Sequence, residues 1–375
     1  MAKITVDELL ATVIERDGSD LHIKAESPPL VRVYGDLFPL DLPPFTPDEA
    51  RALTLSVLGD SHRKIFDREW ELDIGYEIPG LARFRCNCFI QRGKVGSVFR
   101  VIPLRISTME ELGLPEIARY FCDRPRGLVL VTGPAGCGKS TTQAAMIDYI
   151  NAKYPCHIVT VEDPIEFVHE DQVAMVNQRE LGTDTLAFAN ALKYVLRQDP
   201  DVILIGEMRD LETIQLAITA AETGHLVLGT LHTTDAVQTV DRAIDIFPTH
   251  QQQQIRMQLS VNLLGVISQM LVKLKDGSGR TAAWETLVAI PSVRNSIRER
   301  KTHQIGSMIQ TGIKQGMMTL DQSLAQLVEA DRISFEEALS KCKDPRELYN
   351  LLGREISEED VTAARRAELG GRAGP

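Results

Sequence analysis

Over the first hundred residues the spacing of apolar positions changes several times. Val6, Leu9, Leu10 and Val13 recur at helical intervals and predict an amphipathic helix near the start of the chain. The runs LHIKA, PLVRVYG, ELDIGYEI and ARFRCNCFI follow, separated by turn residues, and predict the strands of a small α+β domain over residues 1–104. In RFRCNCF a period of two puts Phe84, Cys86 and Cys88 on one face and Arg83, Arg85 and Asn87 on the other. The two thiols therefore read as core rather than as metal ligands. The pattern lapses over residues 105–118, within a stretch, VIPLRISTMEELGLPEIARYF, that holds two prolines and reads as a linker. Then LVLVTG, HIVTVED, DVILIGE and HLVLGTLH alternate with helical stretches that begin at Lys139 and lie near 185–197 and 210–223. That alternation predicts a parallel sheet flanked by helices. Beyond residue 249 the run QQQQIRMQLSVNLLGVISQML reads as helical, and helices are expected to continue to about Leu352. The expected fold class is thus α/β: an α+β amino-terminal domain, then a domain with a helix-flanked parallel sheet over 119–352 with a helical carboxyl-terminal extension. Residues 353–375 form a charged tail expected to be disordered at its tip.

Composition narrows the function classes. A chain of 375 residues with 43% hydrophobic and 25% charged residues suits a globular protein of two domains. The formal charge of −11 argues against a general nucleic-acid binder. Six scattered cysteines with no CxxC pair suggest neither a zinc ribbon nor a disulfide framework. No apolar run approaches the roughly 18 residues of a membrane span, and Asp and Glu interrupt the opening helix, unlike a secretory signal. A cytoplasmic location is expected.

The segment GPAGCGKS, residues 133–140, carries the strongest chemical signal. Gly133, Gly136 and Gly138 let backbone amides turn inward around phosphate oxygens, and the helix that follows presents its positive end to negative charge. Lys139 supplies a cation for the β and γ phosphates, and the Ser140 hydroxyl is placed to ligate magnesium. Pro134, Ala135, Cys137 and Thr141 complete the candidate cradle. Ala135 and Cys137 occupy variable positions where the backbone does the binding, so the cradle should survive them. Cys137 is expected to expose the loop to thiol oxidation or alkylation.

Hydrolysis requires more than a cradle. DVILIGE ends an apolar strand in Glu207, where such enzymes carry an acidic residue that holds magnesium or its water. Glu162, Asp163 and Glu166 follow HIVTV, and in a parallel sheet all these strand ends line one crevice. His225 and His232 stand at opposite ends of one strand. Seven residues at about 3.3 Å each separate them by roughly 23 Å, too far to share an ion. His232 falls at the crevice end, where it could sense phosphate, and His225 at the strand's start.

VTGPAGCGKSTT, VTVEDPIEFVH, LRQDPDVILIGEMRDLETI and AAETGHLVLGTLHT resemble the P-loop, Asp box, second acidic motif and His box of the secretion ATPase superfamily. SDLHIKAESPPLVRVYGDL, GLARFRCNCFIQRG, VFRVIP, RNSIRERKTHQIGSMIQTG and GMMTLDQSL extend the resemblance to the type IV pilus retraction ATPases, over roughly residues 4–350. Ala135, Cys137 and Gln143 depart from the family pattern.

The resemblance implies a homohexameric ring with a PAS-like amino-terminal domain and a RecA-like domain, hydrolysing ATP with Mg2+ to withdraw pili. It implies that Glu162 positions or activates water, that Glu207 serves magnesium, and that His225 and His232 couple nucleotide state to the ring. Arg83 and Arg100 look like the arginines that reach the nucleotide across a domain or subunit boundary. VRNSIRE looks like a divergent form of a late helical motif needed for retraction, although by spacing alone it is an ordinary surface helix. The implied partners are the pilus inner-membrane platform protein and a paralogous retraction ATPase, with membrane association through them. Three alternatives stand beside this reading. A pilus assembly or secretion ATPase commonly adds a longer amino-terminal region and a four-cysteine module. An accessory scaffold would bind nucleotide with little turnover. A DNA-translocating motor is disfavoured by the charge.

Overall fold

The computed structural model describes residues 4–33, 35–102 and 105–354. The tail expected over 353–375 therefore lies, beyond Arg354, outside the described residues. The chain divides into two compact units, residues 1–106 with 164–168, and residues 107–163 with 169 onward.

In the first unit, helix α1 (Val6–Glu15) is followed by strands β1 (Asp20–Ile23), β2 (Leu30–Val33) and β3 (Asp36–Pro39). Helices α2 (Pro47–Ser56) and α3 (Asp60–Glu69) then lead into β4 (Glu71–Ile78), β5 (Ala82–Gln91) and β6 (Lys94–Ile102). Thr5 caps α1 through a capping box with Glu8, and Thr46 caps α2 in the same way with Glu49. These reciprocal bonds satisfy donors that a helix start leaves open. The six strands form one antiparallel sheet in the order β3-β2-β1-β6-β5-β4. Val6, Leu9, Leu10 and Val13 of α1 are all buried, with Phe84, Cys86, Cys88 and Phe99 from the sheet. The alternation of β5 thus faces its thiols inward.

The second unit begins with α4 (Ile117–Cys122), β7 (Gly127–Thr132), α5 (Lys139–Lys153), β8 (His157–Glu162), β9 (Met175–Glu180) and α6 (Phe188–Val195). It continues with β10 (Val202–Ile205), α7 (Leu211–Glu222), β11 (Leu226–Leu231), α8 (Ala236–Asp245) and α9 (Thr249–Asn262). A hairpin, β12 (Leu263–Lys273) and β13 (Arg280–Val288), precedes helices α10 (Pro291–Arg298), α11 (Ile305–Thr311), α12 (Leu320–Glu329), α13 (Phe335–Lys341) and α14 (Pro345–Leu351). The seven strands run in the order β13-β12-β7-β11-β10-β8-β9, parallel except for the β12–β13 pair. Strands β7, β10 and β11 are buried along their whole length, which is why they read as unbroken apolar runs.

The structure corrects the helical reading of residues 263–288. Helix α9 ends at Asn262, and Leu263 opens β12, which pairs with β7 on one side and β13 on the other. A strand buried on both faces carries a continuous apolar run, and periodicity alone does not separate it from a buried helix. Gly265 marks the difference, because a Cβ there would stand 2.2 Å from the Phe121 ring and 2.3 Å from the Leu287 carbonyl. Strand β9 has no counterpart in the sequence reading, and residues 164–168 return to the first unit from the end of β8.

VRNSIRE also differs from a plain surface helix. Val293, Ser296 and Ile297 are buried, and Arg294 turns onto the chain where α9 meets β12. Its Nε donates to Ala289 O at 2.6 Å, Nη1 to Ser260 O at 2.9 Å and to Val261 O, and Nη2 to Leu263 O at 3.0 Å. The last carbonyls of a helix lack partners within it and carry its negative end, so one guanidinium satisfies several at once. Arg294→Ala, which strands those carbonyls, is expected to destabilise the protein by about 2–3 kcal/mol. Urea unfolding checks this, and an unchanged midpoint would show the clamp to be dispensable.

Candidate active site

The P-loop lies between β7 and α5 because β7 ends at Thr132 and Lys139 opens the helix. Gly133, Gly136 and Gly138 take φ values of 143°, 73° and 91°, a region that strains other residues. Pro134 and Ala135 are exposed, and Ser140 and Thr141 are half-buried in the first turn of α5. Gly138 caps α5 with no side-chain bond of its own. The backbone donors at this helix start suit a phosphate, the ligand that the residue pattern predicts.

Lys139 is buried, and its ammonium donates to Gly133 O and Pro134 O, both at 3.0 Å. It also meets His232 Nδ1 at 3.4 Å. An ammonium offers only donors, so Nδ1 accepts and the imidazole carries its proton on Nε2. Nε2 then donates to Glu207 Oε1 at 2.8 Å. Arg209 closes the chain, its Nε 2.6 Å from Glu207 Oε1 and its Nη2 2.7 Å from Oε2. Lys139, His232, Glu207 and Arg209 thus form one connected series at the carboxyl ends of β7, β11 and β10. Burial alone would raise the Glu207 carboxyl, but the hydrogen bond and charge of Arg209, helped by His232, outweigh it and hold Glu207 below the usual carboxylate range.

Glu162 ends β8, next to β10 in the sheet. Thr160 Oγ1 donates to its Oε1 at 2.7 Å and Gln178 Nε2 to the same oxygen at 3.1 Å. Gly206 keeps the neighbouring chain close, since a Cβ there would lie 3.1 Å from Glu162 Cα. Asp163 is exposed and Glu166 meets Arg85 at 3.7 Å. Ser140 and Glu207 offer side-chain oxygens of the kind that magnesium takes. Among the described residues no group of three His, Cys, Asp or Glu side chains gathers to hold a metal by itself.

His225 stands apart from this series, before the first residue of β11, with Nδ1 2.9 Å from Ala220 O and 3.2 Å from the Thr223 hydroxyl. Arg83 and Arg100 belong to the first unit. Arg100 lies opposite Arg85 across β5 and β6, so Arg83, Arg85 and Arg100 share one face of that sheet. Arg100 pairs with the buried Asp20 at 2.9 Å and is 71% exposed. Arg83 Nε donates to Ile165 O at 3.3 Å, and its Nη1 meets Glu77 at 3.4 Å. Sequence reasoning missed Thr160, Gln178 and Arg209, which act on the two acidic side chains. Only the position of Arg209, two residues past Glu207, was available as a signal.

Cys137 is corrected. It is 3% exposed, and burial raises its pKa despite the Lys139 charge nearby. Its Sγ fills space beneath Gly133, where a Cβ would lie 2.6 Å away. The thiolate is the reactive form, so the folded loop is protected. Maleimide treatment followed by peptide mass mapping should label the half-buried Cys156 ahead of the buried Cys137, with Cys342 also slow because burial pushes its thiol up to about 12; labelling of Cys137 as fast as that of Cys156 would refute this. Turnover provides a second readout, through the depressed Glu207. A depressed carboxyl contributes stability above its unfolded value of 4.5, which is lost as the pH falls through the lower folded value. Arg209→Ala leaves burial dominant, so the acid limb of the pH–rate profile is expected to move upward. A limb that stays in place would show that Arg209 does not tune Glu207.

Comparison with known proteins agrees with this geometry. Residues 99–362 match the family described as Type II/IV secretion system protein. The chain is 53% identical over 340 residues, 91% of its length and 98% of the relative's, to the type IV pilus retraction ATPase PilT of Pseudomonas aeruginosa. It is 42% identical to the type IV pilus ATPase PilU of the same organism, covering 95% of this chain and 93% of that one. A crystal structure of the pilus retraction motor PilT with bound ADP superposes with a TM-score of 0.86 at 45% identity, covering 92% of this chain and 99% of the other. The P-loop, the acidic strand ends and these matches together show that the chain belongs to the type II/IV secretion ATPase family, among the PilT-type members.

Proposed function

We propose that the chain is the ATP-hydrolysing motor of type IV pilus retraction, acting as a hexameric ring. The connected series from Lys139 through His232 and Glu207 to Arg209 carries the reading, because it joins the phosphate cradle to the acidic strand end. The identity to PilT, higher than that to PilU, supports retraction and the presence of a paralogous partner. In this reading the first unit is PAS-like and the second RecA-like.

The amides of residues 133–141 hold the phosphates, and Lys139 leaves the loop carbonyls to take the β and γ phosphate oxygens. Ser140 and, through water, Glu207 would hold magnesium, which would supply neutralisation of the phosphate charge. Glu162, aimed by Thr160 and Gln178, orients the attacking water; its oxygen bonds to the γ phosphorus as the bond to the β–γ bridging oxygen breaks, giving ADP and phosphate. His232 links Lys139 to Glu207, so its position follows whether the lysine holds phosphate, and His225 steadies the far end of the same strand. Arg83 and Arg100 stabilise transition-state charge at a neighbouring subunit's nucleotide. Sequential hydrolysis around the ring moves the inner-membrane platform protein at the pilus base. The motor docks there from the cytoplasm through that partner; among the described residues no helix is long and apolar enough to cross a membrane.

Magnesium-dependent ATP turnover by the purified oligomer tests the reading. Lys139→Ala and Glu162→Ala are each expected to lower turnover by roughly a hundredfold or more. Nucleotide binding without turnover in the unsubstituted protein would favour the accessory scaffold instead.

A further inference from the structure

Strand β12 runs beside β7 with Ser268 opposite Thr132, and the two hydroxyls meet at 2.7 Å. One residue further, β12 reaches the start of the P-loop. A Cβ on Gly133 would stand 2.3 Å from Gln269 O, so the two backbones touch there. Gln269 is 4% exposed. Its Nε2 donates to Cys137 O at 2.6 Å, and its Oε1 accepts from Thr142 Oγ1 at 2.8 Å. One residue outside the GPAGCGKS pattern therefore contacts the loop at its beginning, at its last turn and in the first turn of α5.

We propose that Gln269 is a positioning residue for the nucleotide, fixing the Cys137–Gly138 peptide so that the Gly138 N–H faces the phosphates. In a trans peptide the carbonyl and the following N–H point in opposite directions. Tying Cys137 O down to β12 therefore turns the Gly138 N–H away from β12, toward the side open to a ligand. Gly138 takes φ 91°, and a Cβ there would meet Gln269 Nε2 at 3.2 Å, so amide and glycine are fitted to each other. The Thr142 bond fixes the amide's orientation, because it requires the oxygen on the α5 side and leaves the nitrogen for Cys137 O. A phosphate site made of backbone donors gains affinity when those donors are held in place before the ligand arrives. The inference rests on the ATPase reading above and adds to it the residue that sets the cradle's shape.

Two substitutions separate positioning from mere packing. Gln269→Leu keeps most of the volume and removes both hydrogen bonds. Gln269→Glu repeats both bonds when protonated, its O–H donating to Cys137 O and its carbonyl oxygen accepting from Thr142. When ionised it sets a negative charge against the Cys137 carbonyl and loses the donor. Burial there disfavours the ionised form and pushes the carboxyl upward from its ordinary range.

The experiment measures the Kd of a fluorescent MgADP analogue for the full-length parent, Gln269→Leu and Gln269→Glu from about pH 6 to about pH 9, with nucleotide-free thermal unfolding alongside. Gln269→Leu is expected to weaken binding about tenfold. The affinity of Gln269→Glu relative to the parent is expected to rise as the pH falls. If Gln269→Leu fails to fold, the pH dependence of the Gln269→Glu to parent ratio decides. Parent-like affinity in both variants, or a ratio that stays flat with pH in a folded Gln269→Glu protein, would overturn the positioning role. A parent that binds no nucleotide would instead overturn the ATPase reading, and this inference with it.

Discussion

The site depends on the placement of β7 in the interior of a parallel sheet, between β11 and β12. Its hydrogen bonds are taken on both sides, and every residue from Gly127 to Thr132 is buried, so the strand is held rigidly at the point where it ends. The loop that follows inherits that rigidity. β11 delivers His232 on one side, and β12 delivers Gln269 on the other. Parallel pairing also brings the ends of β8 and β10, with Glu162 and Glu207, to the same edge. The chemistry at that edge is thus fixed by strand order, which no single motif encodes.

Electrostatics within the edge follow from the same crowding. Lys139 is buried, and a buried ammonium is costly unless its donors are taken. Two loop carbonyls and one imidazole nitrogen take them. Glu207 is half-buried between an imidazole and a guanidinium, and although desolvation is the largest single influence on it, the bond and charge of Arg209 together with His232 outweigh it. Each charge therefore has a local partner, and a ligand carrying phosphate competes for Lys139 without stranding Glu207, which keeps Arg209.

The elements with one buried face, or with alternating faces, were legible in the sequence: α1 through Val6, Leu9, Leu10 and Val13, and β5 through its inward thiols. So was the P-loop, because glycines, lysine and serine at fixed spacing have few other uses. Glu162, Glu207 and His232 were found from strand-end position. Strand β12 was not, since a strand buried on both faces has the same apolar density as a buried helix, and Gln269 was lost with it. Arg294 was read as surface because its partners are backbone carbonyls, which leave no complementary charge in the sequence. Thr160, Gln178 and Arg209 escaped notice for a related reason: they act on another side chain, and only the folded sheet brings them to it.

The departures from the family pattern differ in their surroundings. Ala135 is exposed at the loop's tip, where no side chain is needed to shape the backbone. Cys137 is buried against Gly133, where its sulfur fills space in the loop. Gln143 is the exception, because its Nε2 is buried without a partner one turn beyond Lys139. An unpaired buried amide costs roughly 1–3 kcal/mol, and nothing in the structure explains its retention. The contrast with Gln269 is instructive, since both are buried glutamines within one turn or one strand of the cradle. Gln269 has its nitrogen and its oxygen both engaged and holds the loop; Gln143 has its nitrogen idle, so the same side chain serves as a strut in one place and as a cost in the other.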